Sequence, residues 1–275
     1  MIVTTHDITW HTLVDGDSDA PLLLMLHGFA QSVNSFSPHV SDLSKHFRVL
    51  RIDLPGHGST VAPVALDWAM LCANLHEAVA QIDSRPAHWF GYSQGGRVAI
   101  MSALADPDRV KSLALLSASP GIADESERAT RRDSDKLLGQ NIVSRGLNWF
   151  TEFWEALPIF ATQKDIPEHL QTLIRNERMA CNPSGLKFAL EHYGVGTQPY
   201  VLTQLTKWEK PLFLSAGELD EKFRVSNEHI ATESRSILLA QHEFADCGHA
   251  AHLERPEEFT NLLIDFIQAA ESKIA

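Results

Sequence analysis

Apolar residues occur along this chain in two alternating patterns. Short runs that are apolar throughout, such as Leu22–Leu26, are typical of parallel strands that are covered on both faces. Longer segments such as Asp67–Ile82 carry apolar residues at helical spacing, and Asp67 is suited to cap that helix. Because the two patterns alternate up to Leu116, the chain predicts an α/β fold with a mainly parallel central sheet and helices on both faces. Ligands of such folds bind beyond the carboxyl ends of the strands.

Other segments complete the predicted sheet and its covering helices. Ile8–Val14 alternates polar and apolar residues, which predicts an edge strand with one solvated face. Towards the end of the chain we predict a helix near Ser226–Arg235, a strand near Ser236–Leu239 and an amphipathic helix from Pro256. Further buried strands are predicted at Phe47–Asp53, Ser112–Leu116 and Pro211–Ala216.

The alternation stops between about residues 120 and 206, where the pattern becomes helical throughout and prolines separate the helices. We therefore expect a first part of the core over residues 1–119, a helical cap over 120–206 and a second part of the core over 207–275. The helices predicted in the cap are Glu125–Leu138, Asn141–Ala156, Glu168–Ala180 and Ser184–Tyr193.

The composition limits the class of protein and the kind of partner. A chain of 275 residues that is 44% hydrophobic and 21% charged is typical of a globular protein of one large unit. Its formal charge of −12 argues against nucleic acid or an anionic membrane surface as a partner. The first residues show no basic start and no apolar run, so we expect a cytoplasmic protein. We expect it to be a monomer or a small homo-oligomer.

The charge is unevenly divided between the predicted cap and the rest of the chain. Residues 121–206 contain nine Lys and Arg against eleven Asp and Glu, which leaves fourteen against twenty-four elsewhere. A nearly neutral cap on an acidic body is compatible with a small anionic substrate that local arginines hold. The three cysteines are widely spaced and no His, Cys and Asp cluster has ligand spacing, so we expect neither disulfides nor a metal site.

A strand-to-helix turn at Gly91–Arg97 is the centre of the predicted site. Its Gly-x-Ser-x-Gly pattern follows the apolar segment His88–Phe90 and precedes a segment rich in helix formers. This pattern resembles the nucleophile elbow of α/β-hydrolases, in which small neighbours tolerate a strained serine. Ser93 is therefore the predicted reactive serine, and the amide of Gln94 is a predicted oxyanion donor at the start of the helix. An ordinary glycine-rich turn is the alternative.

The loop after the strand Leu22–Leu26 supplies the second predicted oxyanion donor. There His27-Gly28-Phe29 places glycine beside a bulky residue, as in the loop that carries the second oxyanion amide of α/β-hydrolases. We assign that role to the amide of Phe29. His27 and His57 also follow strands, and we expect both to make structural hydrogen bonds.

A reactive serine needs an imidazole to take its proton and a carboxylate to orient the imidazole. Ser93, Asp220 and His249 occur in the chain order serine, acid, histidine, with each residue at the end of a predicted strand. They are the predicted catalytic triad. The alternatives are His252 for the histidine, and Glu218 and Glu221 for the acid.

Four motifs narrow the resemblance beyond the superfamily. They are Gly91–Arg97; Ser119-Pro120-Gly121-Ile122 followed by Glu127-Arg128-Ala129-x-Arg131-Arg132-x-x-Asp135; Gly217-x-x-Asp220-x-Lys222-Phe223; and Gly248-His249-x-Ala251-His252-x-Glu254-x-Pro256. By these motifs the chain resembles, over essentially its whole length, the 2-succinyl-6-hydroxy-2,4-cyclohexadiene-1-carboxylate (SHCHC) synthases of menaquinone biosynthesis. In two positions the sequence departs from that family, with Leu219 where arginine is frequent and Ala250 where asparagine is frequent.

The resemblance implies a lyase without cofactor or metal, which eliminates pyruvate from a cyclohexene-type substrate that carries several carboxylates. It implies that the triad serine acts as a base on a ring proton, and that Lys222 and Phe223 position the acid loop. Binding roles are likewise implied, for three arginines as carboxylate clamps and for two aromatic residues that line the pocket. These binding residues are Arg97, Arg131, Arg178, Tyr92 and Trp154.

Each binding assignment has an alternative. Arg97 could pair with a core carboxylate, Arg131 could pair with Asp135 one turn along its helix, and Arg175 competes with Arg178. Trp154 could serve the packing of the cap alone. For the whole protein, the alternatives are a serine hydrolase, either a carboxylesterase or a C–C bond hydrolase, and a non-catalytic binding module on the same scaffold.

Overall fold

The structure is a computed structural model that describes residues 1–6 and 8–274. The described residues form a single sheet of eight strands. These are β1 (Ile2–Thr4), β2 (Thr9–Asp15), β3 (Leu22–Leu26), β4 (Arg48–Ile52), β5 (Ala87–Tyr92), β6 (Val110–Leu116), β7 (Leu212–Gly217) and β8 (Leu239–Phe244).

In the described part of the chain, ten α-helices cover the sheet or lie in the insertion between β6 and β7, and short 3₁₀ turns occupy 33–36, 107–109 and 158–164. No described helix combines the length and the apolar character that crossing a bilayer requires. The helices are α1 (Ser37–Leu43), α2 (Trp68–Ile82), α3 (Gln94–Ala105), α4 (Glu125–Glu155), α5 (Glu168–Met179), α6 (Pro183–Tyr193), α7 (Leu202–Leu205), α8 (Glu221–Thr232), α9 (Ala251–Glu254) and α10 (Pro256–Ile274).

The strands are arranged in the order β1-β2-β4-β3-β5-β6-β7-β8. β1 and β2 run antiparallel to their neighbours, and all the other pairs are parallel. The strand order changes direction at β3, which lies between β4 and β5. At such a switch point the loops that follow adjacent strands diverge and leave a crevice. The predicted α/β fold with a mainly parallel sheet is confirmed.

The core has one layer on each face of the sheet. Leu24 of β3 packs in the layer with α2 and α3, whereas its neighbours Leu23 and Met25 pack in the layer with α1 and α10. Successive side chains of a strand point to opposite faces, so both faces of β3 need apolar residues. This explains why the run Leu22–Leu26 is apolar throughout, and all five residues are buried.

Three predicted elements need correction. β2 is not an edge strand, because Ile2–Thr4 pairs with it on its outer side. Helix α8 begins at Glu221, directly after Asp220, rather than near Ser226. The last strand covers Leu239–Phe244 rather than a segment that starts at Ser236. This strand lies at the edge of the sheet beyond β7, and its exposed polar residues do not produce the apolar run that marks a buried strand.

The predicted break in the cap helices also lies in a different place. Helix α4 continues through Gly139 and Gln140 and is interrupted at Gly146, whose φ of 82° and ψ of 174° are not helical. A Cβ atom at Gly139 would lie 2.9 Å from Cγ of Lys187. Gly139 therefore allows close packing of α4 on α6 and does not end a helix. The division into a core and a cap at residues 120 and 206 stays a prediction.

Candidate active site

Ser93 lies between the last residue of β5 and the first residue of α3. Its φ is 51°, a region that non-glycine residues enter at a cost in strain. Close packing around the turn requires glycine. A Cβ atom at Gly95 would lie 2.1 Å from the carbonyl oxygen of Leu26, and one at Gly91 would lie 2.5 Å from that of Gly95. The sharp turn that a nucleophile elbow requires is thus formed by this sequence.

The structure brings Ser93, His249 and Asp220 into one hydrogen-bonded chain. Nε2 of His249 lies 2.9 Å from Oγ of Ser93, and its Nδ1 lies 2.8 Å from Oδ2 of Asp220. Asp220 and His249 are buried. With Nδ1 protonated and donating to the carboxylate, Nε2 is free to accept the serine proton.

The alternative triad members lie in other environments. Glu221 is exposed, and the exposed Glu218 accepts a hydrogen bond from the backbone N–H of Asp246. His252 is fully buried under Tyr92, with 4.4 Å between the ring centroids. Burial and the nearby histidines hold the pKa of His252 well below its usual value. His252 is therefore a neutral core residue.

Aromatic rings and one carboxylate hold the imidazole of His249. The rings of Phe223, Tyr92 and Phe160 have their centroids 4.9, 5.3 and 5.7 Å from that of His249. The buried carboxylate of Glu254 accepts hydrogen bonds from the backbone N–H groups on both sides of the histidine. The orientation of the imidazole is thus fixed by packing as well as by Asp220.

The chain after β3 forms the second wall of the site. The backbone N–H of Gly28 donates to Oε1 of Gln31 at 2.9 Å. His27 uses both ring nitrogens, since Nδ1 lies 2.8 Å from the carbonyl oxygen of Gly28 and Nε2 accepts from the N–H of Leu54 at 3.0 Å. Burial lowers the pKa of His27. The structural role predicted for this histidine is confirmed, and its hydrogen bonds fix the loop that leads to Phe29.

A cavity of about 480 Å³ opens above Ser93. Ser93 and His249 line it together with Phe29 and Gln94, the two residues whose amides are the predicted oxyanion donors. Trp154 lines it from the insertion between β6 and β7. All the predicted site residues except Asp220 therefore line this one cavity, and they include Tyr92, Arg97, Arg131 and Arg178.

The described residues that line this cavity carry four cations and one carboxylate. The cations are Arg97, Arg131, Arg178 and Lys222, and the carboxylate is Asp135. The protein as a whole has a formal charge of −12, whereas the residues that line the cavity carry a net positive charge. Such a concentration of cations is suited to a ligand with several negative charges.

Arg97 and Arg131 differ in their partners. Nη1 of Arg97 donates to the carbonyl oxygen of Tyr193 at 3.1 Å, and no carboxylate lies within 4.0 Å of Arg97 in the described part of the chain. Burial and the nearby Arg131 lower the pKa of Arg97 to about 10. Nε of Arg131 lies 2.7 Å from Oδ1 of Asp135. Arg131 is thus both paired along its helix and part of the cavity wall.

Arg178, and not Arg175, lines the cavity. Arg178 is 5% exposed; its Nη2 donates to Oε1 of Gln163 at 2.9 Å and its Nη1 lies 3.3 Å from Oε1 of Glu155. Burial lowers the pKa of Arg178, and Glu155 raises it. Arg175 lies in a neighbouring cavity and pairs with Oε2 of Glu155 at 2.6 Å. Its side chain is 48% exposed.

Known proteins resemble this chain along nearly its whole length. A Bacillus subtilis (strain 168) protein, provisionally named 2-succinyl-6-hydroxy-2,4-cyclohexadiene-1-carboxylate synthase, is 30% identical over 272 residues, or 96% of this chain and 97% of that protein. The synthase of the same name from Serratia proteamaculans (strain 568) is 28% identical over 93% of this chain and 96% of its own. The family described as having the α/β-hydrolase fold matches residues 21–256. The chain belongs to the α/β-hydrolase family, in the group of SHCHC synthases.

A solved structure agrees with this membership. The structure of MenH from S. aureus has a TM-score of 0.89 to this chain and is 27% identical to it. The alignment covers 97% of this chain and 100% of that one. The family resemblance that the four motifs predicted is confirmed.

Two charged residues of the family motifs line the cavity, although the sequence had suggested other roles for them. Lys222, expected to position the acid loop, lines the cavity. Partial burial and the nearby Arg131 lower the pKa of Lys222, while Asp220 raises it. Asp135, expected only as a partner of Arg131, lines the cavity too. The sequence offered a signal for both placements, because Lys222 and Asp135 each lie one helical turn or less from a predicted site residue.

Trp154 serves both of the roles considered for it. Its ring centroid lies 5.3 Å from that of Phe29 and 5.8 Å from that of Phe160, so it packs the insertion onto the core. It also lines the cavity.

Tyr92 is buried, and burial raises the pKa of its hydroxyl well above the usual value. The phenol of Tyr92 is therefore neutral where it lines the cavity.

Proposed function

We propose that this chain is a cofactor-independent lyase of menaquinone biosynthesis. It eliminates pyruvate from a succinyl-enolpyruvyl-hydroxycyclohexene-carboxylate and yields SHCHC. The names of its relatives support the reaction, and the S. aureus MenH structure supports the fold in which it takes place. The catalytic residues of the proposal are Ser93, His249 and Asp220.

The cationic lining of the cavity carries this proposal. Arginine and lysine lose hydration when a cavity encloses them, and anionic partners return that free energy. Asp135 and Glu155 pair with Arg131 and Arg178, so an anionic ligand is needed to compensate the remaining positive charge. The proposed substrate has three carboxylates, which the four cations around one carboxylate can neutralise. Bidentate contacts of guanidinium groups with carboxylates would also fix its orientation. An esterase for neutral esters would gain nothing from these residues.

The geometry allows Ser93 to act as a base. Its Oγ lies 2.9 Å from Nε2 of His249, so the hydroxyl proton can pass to the imidazole as Oγ takes a proton from the substrate ring. The acidic ring proton is the one next to the succinyl carbonyl. Its electron pair forms a ring double bond, the existing double bond shifts, and the C–O bond to the enolpyruvyl group breaks. The departing enolate takes a proton at carbon and becomes pyruvate.

The proposed oxyanion donors stabilise the charge that this step creates. Removal of the ring proton places negative charge on the oxygen of the succinyl carbonyl. Gln94 begins α3, so its N–H group lies at the positive end of the helix dipole. We assign the second donor to the backbone N–H of Phe29, in the loop that His27 holds. Donors fixed in this way stabilise the transition state more than the bound substrate.

A serine hydrolase for a small anionic substrate is the second candidate. The hydrogen bond between Ser93 and His249 is also the arrangement that activates a serine for attack on a carbonyl carbon. A hydrolase would form an acyl-enzyme, whereas the lyase forms no covalent intermediate. A binding module on the same scaffold would catalyse neither reaction.

An assay for pyruvate release distinguishes these functions. The enzymatically prepared precursor and a series of p-nitrophenyl esters are given to the wild type, Ser93→Ala, Arg97→Ala and the exposed control Arg235→Ala. The lyase predicts rapid pyruvate release that falls by orders of magnitude in the first two variants and is unchanged in the control. Rapid ester turnover without pyruvate would establish a hydrolase. Activity on neither substrate, together with tight binding of polycarboxylates, would favour a binding module.

The expectations of a cytoplasmic protein, of a monomer or small homo-oligomer, and of a reaction without cofactor or metal stay predictions. Light scattering after gel filtration measures the oligomeric state. Pyruvate release in buffer that contains EDTA tests the absence of a metal requirement, since removal of a catalytic metal would abolish turnover.

A further inference from the structure

Helix α5 carries the proposed clamp Arg178, which lines the cavity. The residue before it, Glu177, is half-buried, and its Oε1 accepts a hydrogen bond from Oγ of Ser32. Among the described residues, this is the one hydrogen bond that joins α5 to a residue outside the insertion between β6 and β7. A single side chain of α5 thus connects this helix to the core by a hydrogen bond.

Ser32 belongs to the segment that follows the proposed oxyanion donor. It lies three residues after Phe29 and caps a 3₁₀ turn, because its Oγ accepts a hydrogen bond from the N–H of Asn34 at 3.2 Å. The N–H of Val33 donates to Oδ1 of the buried Asp53 at 2.7 Å. The core therefore holds this segment in place where Glu177 binds it.

Apolar packing holds α5 on both sides of this contact. Leu170 and Ile174 of α5 belong to one cluster with Leu253 of α9, and Cys181, just after α5, belongs to another with Ala30. Apolar contacts have no preferred direction, whereas a hydrogen bond requires a narrow range of distance and angle. The hydrogen bond therefore determines, more sharply than the packing does, where the last turn of α5 lies relative to the core segment.

The guanidinium of Arg178 has other contacts that lie within the insertion. Its Nη2 donates to Gln163 at 2.9 Å, its Nη1 lies 3.3 Å from Glu155, and its Cζ lies 5.4 Å from the centroid of the Phe160 ring. These contacts orient the guanidinium relative to the insertion. They do not by themselves set its distance from the amide of Phe29, because that amide belongs to the core.

The proposed reaction needs this distance to be constant. The carboxylate that Arg178 binds and the carbonyl oxygen that the N–H of Phe29 stabilises belong to one substrate molecule, which must reach both groups at once. A misplacement of about 1 Å at such a site can lower the rate about 100-fold.

We propose that Glu177 is a positioning residue, which through Ser32 holds Arg178 at the distance from the oxyanion donor that the substrate requires. This inference rests on the proposed function and on its assignments of Arg178 and Phe29. Glu177 is not among the residues that line the cavity, so it acts through its neighbour Arg178 and not by contact with the substrate.

The test is a pair of double-mutant cycles on pyruvate release. One cycle combines Glu177→Ala with Ser32→Ala, and the other combines Glu177→Ala with Arg178→Ala. Asn176→Ala is the control, because Asn176 is the exposed neighbour of Glu177 on α5. Calorimetry with 2-succinylbenzoate, an aromatic analogue of the product with the same two carboxylates, measures ligand affinity, and its stoichiometry measures the fraction of folded protein.

We expect Glu177→Ala to lower kcat about tenfold, because the clamp is no longer aligned with the oxyanion donors. The affinity for 2-succinylbenzoate should change less than about threefold, since a bound ligand can move with Arg178 while the contacts of the transition state are lost. Ser32→Ala should cause the same loss, and the double variant should be slower by no more than about twofold. In Arg178→Ala, the addition of Glu177→Ala should also change kcat less than about twofold.

Glu177→Gln tests whether an acceptor oxygen is sufficient. Burial raises the pKa of Glu177 to about 7, so glutamine resembles the protonated carboxyl that is present near neutral pH. Its amide oxygen can still accept the hydrogen bond from Ser32, and we expect kcat within about threefold of the wild type. Asn176→Ala should leave kcat unchanged.

Additive losses in the cycle with Arg178→Ala would overturn the inference, since Glu177 would then act independently of the clamp. An unchanged kcat in Glu177→Ala, or a Glu177→Gln variant that is equally slow, would overturn it as well. If Glu177→Ala does not fold, as a melting curve would show, Ser32→Ala replaces it in the cycle with Arg178→Ala, and additive losses again decide against the inference. A wild type without pyruvate release removes the proposed function and the inference with it, whereas normal release with additive losses removes only the inference.

Discussion

The carboxylate oxygen Oε2 of Glu254 accepts a hydrogen bond of 2.8 Å from the backbone N–H of Gly248. The other oxygen, Oε1, accepts one of 3.3 Å from the N–H of Ala250. These two residues flank His249, so one buried carboxylate binds the backbone on both sides of the proposed catalytic imidazole. Glu254 lies six residues from Gly248 and belongs to the helix α9 that follows the loop.

Replacement of Glu254 by Gln is expected to lower kcat. The amide nitrogen of glutamine cannot accept a hydrogen bond, so one of the two backbone N–H groups loses its partner, at a cost of about 1–3 kcal/mol in unfolding free energy. His249 would lose its fixed orientation, and we expect kcat to fall about tenfold or more. Steady-state kinetics of pyruvate release and urea unfolding measure the two effects.

The control for this variant is Glu228→Gln on the exposed side of α8, which should change neither quantity. The dissociation constant of 2-succinylbenzoate should also be unchanged in Glu254→Gln, since the carboxylate clamps are intact. A loss of ligand affinity with normal kcat would contradict the positioning role.

Arg178 and Arg175 share the partner Glu155 and form a matched pair for mutation. Arg178→Ala removes a buried cation from the cavity, and we expect kcat/KM to fall about 10- to 100-fold because the lost contacts to carboxylate are charged and desolvated. Arg175→Ala removes a half-exposed ion pair, which is worth about 1 kcal/mol at most. It should change kcat/KM less than about threefold. Equal losses in the two variants would refute the assignment of Arg178 to substrate binding.

The backbone at Ser93 predicts that the reactive position carries strain. Its φ of 51° is unfavourable for a residue with a Cβ atom and readily adopted by glycine. Ser93→Gly should therefore be more stable than Ser93→Ala by about 1 kcal/mol, or a few degrees in Tm. Both variants lack the hydroxyl and should be inactive. Differential scanning calorimetry measures the difference, and a glycine variant no more stable than the alanine variant would argue against strain at this residue.

His39 predicts a loss of stability in acid. Burial lowers the pKa of His39 from 6.5 to about 3, so the folded protein keeps the ring neutral while the unfolded chain protonates it below pH 6.5. The stabilisation is complete above pH 6.5 and is lost progressively as the pH falls towards 3. One such histidine steepens the fall in unfolding free energy by about 1.4 kcal/mol per pH unit within this range.

The variant His39→Gln tests this effect. Urea unfolding between pH 7 and pH 5 should show a smaller slope for the variant than for the wild type, even if its stability at pH 7 is lower because the contact of His39 Nδ1 with Thr260 Oγ1 at 2.9 Å is changed. Gln204→Asn is a control, since Gln204 is exposed and neither side chain titrates, so the slope should be unchanged. A slope that is the same in all three proteins would show that His39 titrates normally.

The local sequence predicted much of the fold because its patterns have local physical causes. Leu22–Leu26 is apolar throughout since both faces of a central strand are buried. Asp67 caps α2 by accepting a hydrogen bond from the N–H of Met70. The start of the edge strand at Leu239 was misplaced, because an edge strand lacks a continuous apolar run. The helix break at Gly146 was predicted too early in the chain, because Gly139 serves packing and does not end the helix.

The candidate site was predicted in part for the same reason. The glycines around Ser93 indicate a sharp turn, and the order of serine, acid and histidine along the chain follows from the ends of successive parallel strands. The helical spacing of α5 places Arg178, and not Arg175, on the face of the buried Leu170 and Ile174, although both arginines pair with Glu155. The direction of each side chain depends on how α5 packs against its neighbours.

The sequence by itself determined the α/β architecture, the position of the serine turn and the family to which the chain belongs. Only the tertiary structure decided which charges meet. It placed Lys222 and Asp135 in the cavity wall with Arg97, although these residues come from three separate helices. A contact between distant segments depends on the packing of whole elements, whereas the patterns along a chain record only the burial and backbone geometry of each segment.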